Sequence, residues 1–218
     1  MFIITMVLIK MNPDLTLIGM EKGKQYETII STKNYKNMPN AAPIGVICSG
    51  HDKILCRIFK GGTTLNNILS QKEFTVNITH DPELFLLSTI GNLPKNYFNE
   101  DNSIKNVDAY FKCEVIDFRD AIKKSDPIRK TSEAIIIKSR VTELVINKDT
   151  HALNRGIGYV IESLANLTRF DIVSEAEREY YIKRFKEANR VVTKIGYKKE
   201  KESMNLIKEK YKEKGYEI

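Results

Sequence analysis

Two short stretches of this 218-residue chain combine residue types that suit a phosphate and a flat ring. Lys60-Gly61-Gly62-Thr63-Thr64 is a glycine turn that opens a helical pattern, so its backbone can approach a ligand closely and its first helical N–H groups lack partners. Thr63 and Thr64 add hydroxyl donors, and Lys60 or Arg57 can neutralise negative charge. The pattern predicts a phosphate site, although an ordinary strand-to-helix turn with a threonine cap would have the same sequence.

The second stretch, Asn40-Ala41-Ala42-Pro43, places short side chains inside a strand pattern. Proline cannot donate to a sheet ladder, so we expect this segment at an edge, at a bulge or against a ligand. Because the side chains are short, the strand backbone is open to a flat heteroaromatic ring that carries donors and acceptors along its edge. A tightly packed contact between sheets explains the same composition and stays open as the alternative.

Runs of β-branched and aromatic residues predict the strands that position these stretches. The first three strands are joined by short turns and form an antiparallel meander. A helix from Thr63 to Ser70, with Thr63 or Thr64 as its cap, follows the third strand, and a helix that begins at Pro82 follows the fourth. A long loop is expected from Gly91 to Asn106. The predicted strands are Tyr26–Thr32, Ala41–Cys48, Lys53–Phe59, Phe74–Ile78, Ala109–Arg119 and Glu133–Ile146.

Beyond Asn147 the apolar period changes from two residues to about 3.6, which predicts three amphipathic helices. We expect them at Thr150–Arg169, Ser174–Ile195 and Lys198–Lys214. The fold class is therefore α+β, with a closed or partly closed antiparallel barrel and a C-terminal helical unit. Its expected parts are a lead-in with little regular structure at residues 1–24, a barrel at residues 25–147 and a helical unit at residues 148–218.

The composition excludes several other classes of protein. The three cysteines, Cys48, Cys56 and Cys113, lie in apolar runs without metal-ligand spacing and are expected to be buried thiols in a reducing compartment. No two histidines have metal-ligand spacing with a carboxylate, so no metal site is expected. No apolar run approaches the roughly 20 residues of a membrane helix, and a cytoplasmic protein is expected. Residues 1–10 are either a first strand or an extension upstream of the natural start.

The formal charge of +7 has a local explanation. Residues 175–218 carry 13 Lys and Arg against 9 Asp and Glu, interspersed at helical spacing. This pattern is typical of a solvated, ion-paired helix surface. A nucleic-acid partner is not favoured, since the chain lacks interleaved aromatic residues and a recognition helix.

The order of these motifs resembles the FMN-binding split-barrel superfamily, which includes flavin reductases and pyridoxamine-phosphate oxidases. Within it, the chain most resembles the largely archaeal family called domain of unknown function 447, whose members combine a split barrel with a helical C-terminal part. Asn154-Arg155-Gly156 is similar to the second block of that family. The N-terminal resemblance is carried by Ser31-Thr32, Asn40–Gly45, Gly61–Ile68 and Phe74–Ile78.

The resemblance implies a homodimer with FMN at the subunit interface, and it implies the residues that hold the cofactor. The isoalloxazine ring would lie along Asn40, Ala41, Ala42 and Pro43. The phosphate would be held by Ser31, Thr32, Thr63, Thr64 and Asn67, beside the cation that Lys60 offers. A flavin-dependent oxidoreductase is the leading hypothesis, and no catalytic acid or base is identified. The alternatives are a non-catalytic protein that binds, stores or senses flavin and, less favoured, a basic nucleic-acid-binding barrel.

Overall fold

The computed structural model describes residues 13–91, 93–123 and 132–218. Six antiparallel strands form a closed barrel in the order β1-β2-β3-β6-β5-β4, and β4 pairs back with β1. The barrel predicted from the strand patterns is thereby confirmed. Residues 1–10, and most of the segment between the predicted strands Ala109–Arg119 and Glu133–Ile146, fall outside the described residues. The strands are β1 (Gln25–Lys33), β2 (Pro39–Gly50), β3 (Lys53–Phe59), β4 (Glu73–Ile78), β5 (Ala109–Lys123) and β6 (Ser132–Ile146).

Among the described residues, five α-helices accompany these strands, and they divide into two groups. The first two helices lie between strands, and the last three follow the barrel in sequence. The described chain separates into two compact units, which meet in sequence between Leu153 and Asn154. The helices are α1 (Thr63–Gln71), α2 (Pro82–Ile90), α3 (Gly156–Arg169), α4 (Glu175–Ile195) and α5 (Lys198–Glu213).

The alternation of side chains along each strand fills the barrel. Tyr26 and Ile30 of β1, Val46 of β2 and Ile54 of β3 are fully buried in one cluster, which also receives Leu65 of α1. Successive residues of a strand point to opposite faces, so the residues that directly precede and follow these point out of the barrel. The period of two along each strand therefore determines which polar side chains point into the barrel.

The barrel is split where β2 and β3 diverge. β2 pairs with β1 from Pro39 to Ile47, but it pairs with β3 only between Val46 and Gly50. β3 continues along β6 as far as Phe59. Among the described residues, the first half of β2 therefore has a strand on one side only, which agrees with the edge that Pro43 predicts.

Helix α1 begins one residue earlier than a threonine cap would allow. Gly62 is the N-cap and makes no side-chain capping bond, so the expectation that Thr63 or Thr64 caps the helix is wrong. Gly61 has a φ of 92°, a conformation that favours glycine, and the turn delivers Thr64 to the buried side of the helix. Because α1 packs against β1 and β2, this side faces the strands that carry the other site residues.

The long loop after α2 is anchored to the barrel by buried polar contacts. Asn77 of β4 is fully buried, donates to the Ile29 carbonyl at 3.0 Å and accepts from the Ile104 amide at 2.8 Å. Phe98 is buried in a cluster with Leu84 and Ile29, so this loop aromatic serves packing. The loop predicted between Gly91 and Asn106 is present, with a single 3₁₀ turn at Lys95–Tyr97.

Two expectations at the ends of the barrel are corrected. The lead-in contains a 3₁₀ helix, Leu15–Ile18, whose Leu15 and Ile18 belong to the barrel core. The first C-terminal helix begins at Gly156 rather than at Thr150, because the backbone before it bonds elsewhere. The Glu27 amide donates to the Leu153 carbonyl, and the Asn154 side chain accepts from the Gly156 amide at 2.8 Å.

The second unit is a three-helix bundle of α3, α4 and α5. Phe170 and Phe185 pack edge-on against Tyr211 at centroid distances of 4.9 and 5.2 Å. Ser174 and Glu177 form the capping box that the sequence predicts at the start of α4. The rigid aromatic centre and the capped helix start indicate a bundle with its own core.

Candidate binding site at the split of the barrel

Four polar side chains from three elements meet where α1 closes the end of the barrel. Asn40 Nδ2 of β2 donates to Thr64 Oγ1 of α1 at 2.8 Å and to Thr32 Oγ1 of β1 at 3.5 Å. Asn67 Nδ2, one helical turn after Thr64, also donates to Thr32 Oγ1 at 3.0 Å. Thr32 is 1% exposed, and Thr64 and Asn67 are each 6% exposed. The structure thus brings together four of the residues predicted from the sequence.

The hydrogen bonds of this cluster leave donors available. Both threonine hydroxyls accept from asparagine amides, and neither donates to an acceptor among the residues that the structure describes. A hydroxyl has one donor hydrogen, and a buried donor without an acceptor costs about 1–3 kcal/mol. The cluster is therefore suited to a ligand rich in acceptor oxygens.

The start of α1 also favours a ligand with acceptor oxygens and negative charge. Gly61 and Gly62 have open space where a side chain would be, so a ligand can reach the backbone there. Thr63 is exposed at the first helical position. The free N–H groups and the helix dipole favour negative charge at this end.

The segment of β2 that is predicted to contact the ring, Asn40–Pro43, presents side chains to both faces of the sheet. Asn40 pairs with Thr32 and Ala42 pairs with Ile30, so these two residues lie on the barrel's inner face. Ala41 is buried on the other face in the cluster of Ile29, and Pro43 shares that face by alternation. Both faces carry short side chains beside the strand's unpaired edge.

The sequence offers two cations to neutralise the phosphate, Lys60 and Arg57, and their surroundings differ in the structure. Lys60 is exposed, and its Nζ lies 2.7 Å from Asp120 Oδ1. Arg57 stacks over the Phe59 ring, with its guanidinium carbon 5.2 Å from the ring centroid. Its Nη2 is buried without a hydrogen-bond partner in the described part of the chain. Arg57 borders the split on the outer face of β3, because it alternates with Cys56 and Ile58 of the barrel core.

Ser31 does not join this cluster. It follows Ile30 on the opposite face of β1, where its Oγ donates to the Asn102 carbonyl at 2.6 Å and accepts from Asn77 at 2.9 Å. Asn77 and Asn102 were not singled out by the sequence analysis. The one signal for Asn77 is an asparagine inside an otherwise apolar strand pattern, whereas nothing local marks Asn102.

His80 forms a second polar site at the far end of β4. Its Nδ1 lies 2.9 Å from Asp108 Oδ2, and Lys148 Nζ lies 2.7 Å from Asp108 Oδ1. Asp108 is 3% exposed while His80 is exposed. Burial raises the pKa of Asp108, but the hydrogen bonds from His80 and Lys148 outweigh it and leave this pKa below 3.8. This arrangement holds the histidine ring in one orientation.

Within residues 13–91, 93–123 and 132–218, no three His, Cys, Asp or Glu side chains are grouped closely enough to hold a metal ion. In the same ranges, no helix has the length and apolar character needed to cross a membrane.

The fold is a split antiparallel β-barrel followed by a C-terminal helical unit. The match to family models then identifies the family. Residues 26–148 match the model described as Protein of unknown function (DUF447) N-terminal domain, and residues 154–209 match Protein of unknown function (DUF447). The chain belongs to this family, as its sequence motifs indicate.

Three proteins from the comparisons are similar to this chain. An FMN-bound protein of the same family from Methanosarcina mazei is 28% identical, with a TM-score of 0.50 over 90% of this chain and 100% of its own. An uncharacterized protein of Methanocaldococcus jannaschii is 22% identical over 185 residues, which cover 83% of this chain and 95% of that protein. The flavin reductase of styrene monooxygenase from Pseudomonas putida is 10% identical, with a TM-score of 0.46 over 57% of this chain and 82% of its own.

Proposed function

We propose that this chain binds FMN without a covalent bond, at the split between β2 and β3. The observation that carries the proposal is the cluster of Thr32, Asn40, Thr64 and Asn67, whose buried hydroxyls have hydrogens to donate and no acceptor among the described residues. The FMN-bound relative from Methanosarcina mazei, which spans nearly all of the chain, supports FMN as the ligand.

The residues at the split fit the two ends of FMN. The hydroxyls of Thr32 and Thr64 and the N–H groups that open α1 would hold phosphate oxygens. The Arg57 guanidinium, whose Nη2 lacks an acceptor among the described residues, would add the charge-assisted bond from the outer face of β3 at the open split. The unpaired edge of β2 from Asn40 to Pro43 would lie along the ring. Ser31 is left out of this proposal because its hydroxyl already donates to the Asn102 carbonyl.

We propose further that the chain is a flavin-dependent oxidoreductase. FMN supplies electron transfer at its N5 position when it is bound. The protein's part is to orient the cofactor: β2 holds the ring edge, α1 holds the phosphate, and the Asn40 and Asn67 amides fix the threonine hydroxyls. His80 is not placed in this chemistry.

A homodimer completes the proposal, with FMN at the subunit interface. The support on the barrel is an apolar strip on α2, where Leu86 and Ile90 are one turn apart and are 54% and 70% exposed. Helix α2 packs against β2, the strand proposed to hold the ring. A second copy would cover these side chains. Sedimentation of the FMN-loaded protein tests this point, and a loaded monomer would contradict it.

The experiment that tests the function has two stages. The purified protein is expected to show flavin absorbance bands, and these are expected to be lost when Thr63 and Thr64 are both replaced by alanine. The loaded protein is then mixed with reduced nicotinamide or reduced deazaflavin donors, whose oxidation would support the redox enzyme. Flavin bands without turnover would instead support the storage or sensing alternative. A colourless protein that takes up no added FMN would refute the binding proposal.

A further inference from the structure

A cleft opens on the outer face of the barrel where β1 and β4 separate. The two strands pair as far as Ser31 and Thr75, and beyond this pair β1 continues to Lys33 while β4 begins at Glu73. Ser31 and Lys33 lie on the outer face, because Ser31 follows Ile30 of the barrel core. The cleft has a volume of about 320 Å³, within the range of small-molecule sites.

One wall of the cleft carries two carboxylates without partners. Glu73 of β4 pairs directly with Glu114 of β5, and each is next to a core residue, so both side chains lie on the outer face. Both are exposed, and neither forms an ion pair with any residue that the structure describes. Like charges at directly opposed positions of two strands repel each other. A cation placed between them would remove this repulsion.

The wall formed by β1 carries a cation, Lys33. Its Nζ donates to the Glu100 carbonyl at 2.6 Å, which positions the ammonium without neutralising it, and two of its three N–H donors remain. The other lysine of the lining, Lys112, is already paired with Asp101 at 3.2 Å and with Glu143 at 2.8 Å. The cleft therefore has an unneutralised cation on its β1 side and two unneutralised anions on its β4–β5 side.

Asn102 adds a buried acceptor to the lining of the cleft. It is 5% exposed, and its Oδ1 has no hydrogen-bond partner in the described part of the chain. A buried acceptor without a donor is costly. The φ of 69° explains an asparagine or a glycine at this position, but it does not explain an unsatisfied carboxamide oxygen. This oxygen is suited to an N–H or O–H group of a ligand.

We propose that the cleft binds a small amino acid in its zwitterionic form. The ammonium would lie between Glu73 and Glu114, and the carboxylate would meet Lys33. A hydroxyl or N–H group of the ligand would donate to Asn102 Oδ1. A simple anion would be repelled by the two carboxylates and a simple cation by Lys33, so a molecule with both charges matches both walls. The site does not depend on the proposed flavin site, whose Thr32 points into the barrel.

L-serine is the probe for this proposal, and two of its fragments are the controls. Ethanolamine lacks the carboxylate, and 3-hydroxypropionate lacks the ammonium. The full chain, labelled with ¹⁵N, is titrated with each compound while the backbone amide signals of residues 73–75 and 112–114 are followed. We expect L-serine to shift these signals saturably with a Kd of about 1 mM, as suits a ligand of its size. Each fragment is expected to bind at least about tenfold more weakly.

No saturable shift with L-serine would overturn the proposal. Equal binding of L-serine and either fragment would overturn it too, because the cleft would then respond to one charge alone.

Two charge variants are expected to give opposite patterns. Lys33→Gln removes the cation but can still donate to the Glu100 carbonyl, so it is expected to weaken L-serine about tenfold without weakening ethanolamine. Glu73→Gln is expected to weaken both compounds. Lys105→Gln, at an exposed loop position, is the control and is expected to change neither. Equal effects of Lys33→Gln on L-serine and ethanolamine would contradict the role of Lys33.

The variant Asn102→Gly tests the buried acceptor. Glycine adopts the same positive φ and removes only the carboxamide, so L-serine binding is expected to weaken about tenfold. Asn106→Gly is the matched control, since Asn106 is exposed and has a φ of 61°. The two variants are expected to have similar melting temperatures. A melting temperature of Asn102→Gly well below that of the control would contradict the proposal, because the carboxamide would then already be satisfied within the fold.

Discussion

Asn40 Nδ2 lies 2.8 Å from Thr64 Oγ1, which connects the unpaired half of β2 to the first turn of α1. The same amide is 3.5 Å from Thr32 Oγ1 on β1. One side chain thus fixes two hydroxyls so that their hydrogens point away from it. These hydrogen bonds join the small-residue segment of β2 and the helix that follows the glycine turn into one site.

The first prediction concerns this shared amide. Asn40→Ala and Thr64→Val are each expected to raise the Kd for FMN about 10- to 100-fold, because each removes or misorients a donor to the phosphate. The double variant is expected to lose less binding free energy than the sum of the losses in the two single variants, since both substitutions act on the Thr64 hydroxyl. Isothermal titration of the three variants measures the coupling. Thr193→Val, on the exposed surface of α4, is the matched control, and full additivity would argue against the shared role.

Arg57 is predicted to distinguish FMN from riboflavin. Arg57→Gln removes the charge but keeps a long polar side chain, so FMN binding is expected to weaken about 10- to 100-fold while riboflavin binding stays nearly constant. Titration of both flavins into the variant gives the ratio of the two Kd values. Arg140→Gln, on the exposed surface of β6, is the control. If Arg57→Gln weakened both flavins equally, the residue would not contact the phosphate.

Asp108 is predicted to stabilise the barrel in a pH-dependent way. Asp108→Asn is expected to lower the free energy of unfolding by about 3 kcal/mol at neutral pH, because His80 and Lys148 lose their buried partner. A carboxyl whose pKa is lowered in the folded state stabilises above its unfolded pKa and loses that effect as pH falls through the folded value. The gap between wild type and variant is therefore expected to shrink below about pH 4.

Urea unfolding at several pH values measures this gap, with Asp149→Asn in the following turn as the exposed control. The control is expected to match the wild type throughout. A gap that stayed constant down to the acid limit of the folded protein would show that the Asp108 charge is not its source.

Asn77 is predicted to hold the long loop on the barrel. Asn77→Ala removes three hydrogen bonds, to Ile29, Ser31 and Ile104, and is expected to cost about 3 kcal/mol of unfolding free energy. Amide hydrogen exchange is expected to accelerate most at residues 93–107. Asn205→Ala is the exposed control. An even loss of protection across the barrel would indicate a general weakening instead of a released loop.

Local patterns predicted most of the fold, because strand alternation and helical periodicity are properties of neighbouring residues. They predicted the six strands and the α4 capping box, whereas the meeting of Thr32 with Thr64 was implied by the family resemblance. Ser31 was grouped with Thr32 although adjacent strand residues point to opposite faces, so the period of two already argued against that pair.

Other features depend on contacts between distant parts of the chain. The start of α3 at Gly156 reflects the backbone bond of Leu153 to Glu27, which no local signal contains. The Ser31 and Asn102 contact joins residues 71 positions apart. The difference between Lys60 and Arg57 depends on Asp120, which meets Lys60 only in the folded barrel. Such pairings follow from strand register, and residue type alone does not determine them.

The most direct test of the flavin site is a titration of FMN into the flavin-free protein, followed by the quenching of flavin fluorescence. The account predicts saturable uptake of one FMN per chain by the wild type, and uptake weakened about 10- to 100-fold by Thr64→Val. The absence of saturable binding by a folded wild-type protein, or equal binding by wild type and Thr64→Val, would contradict it.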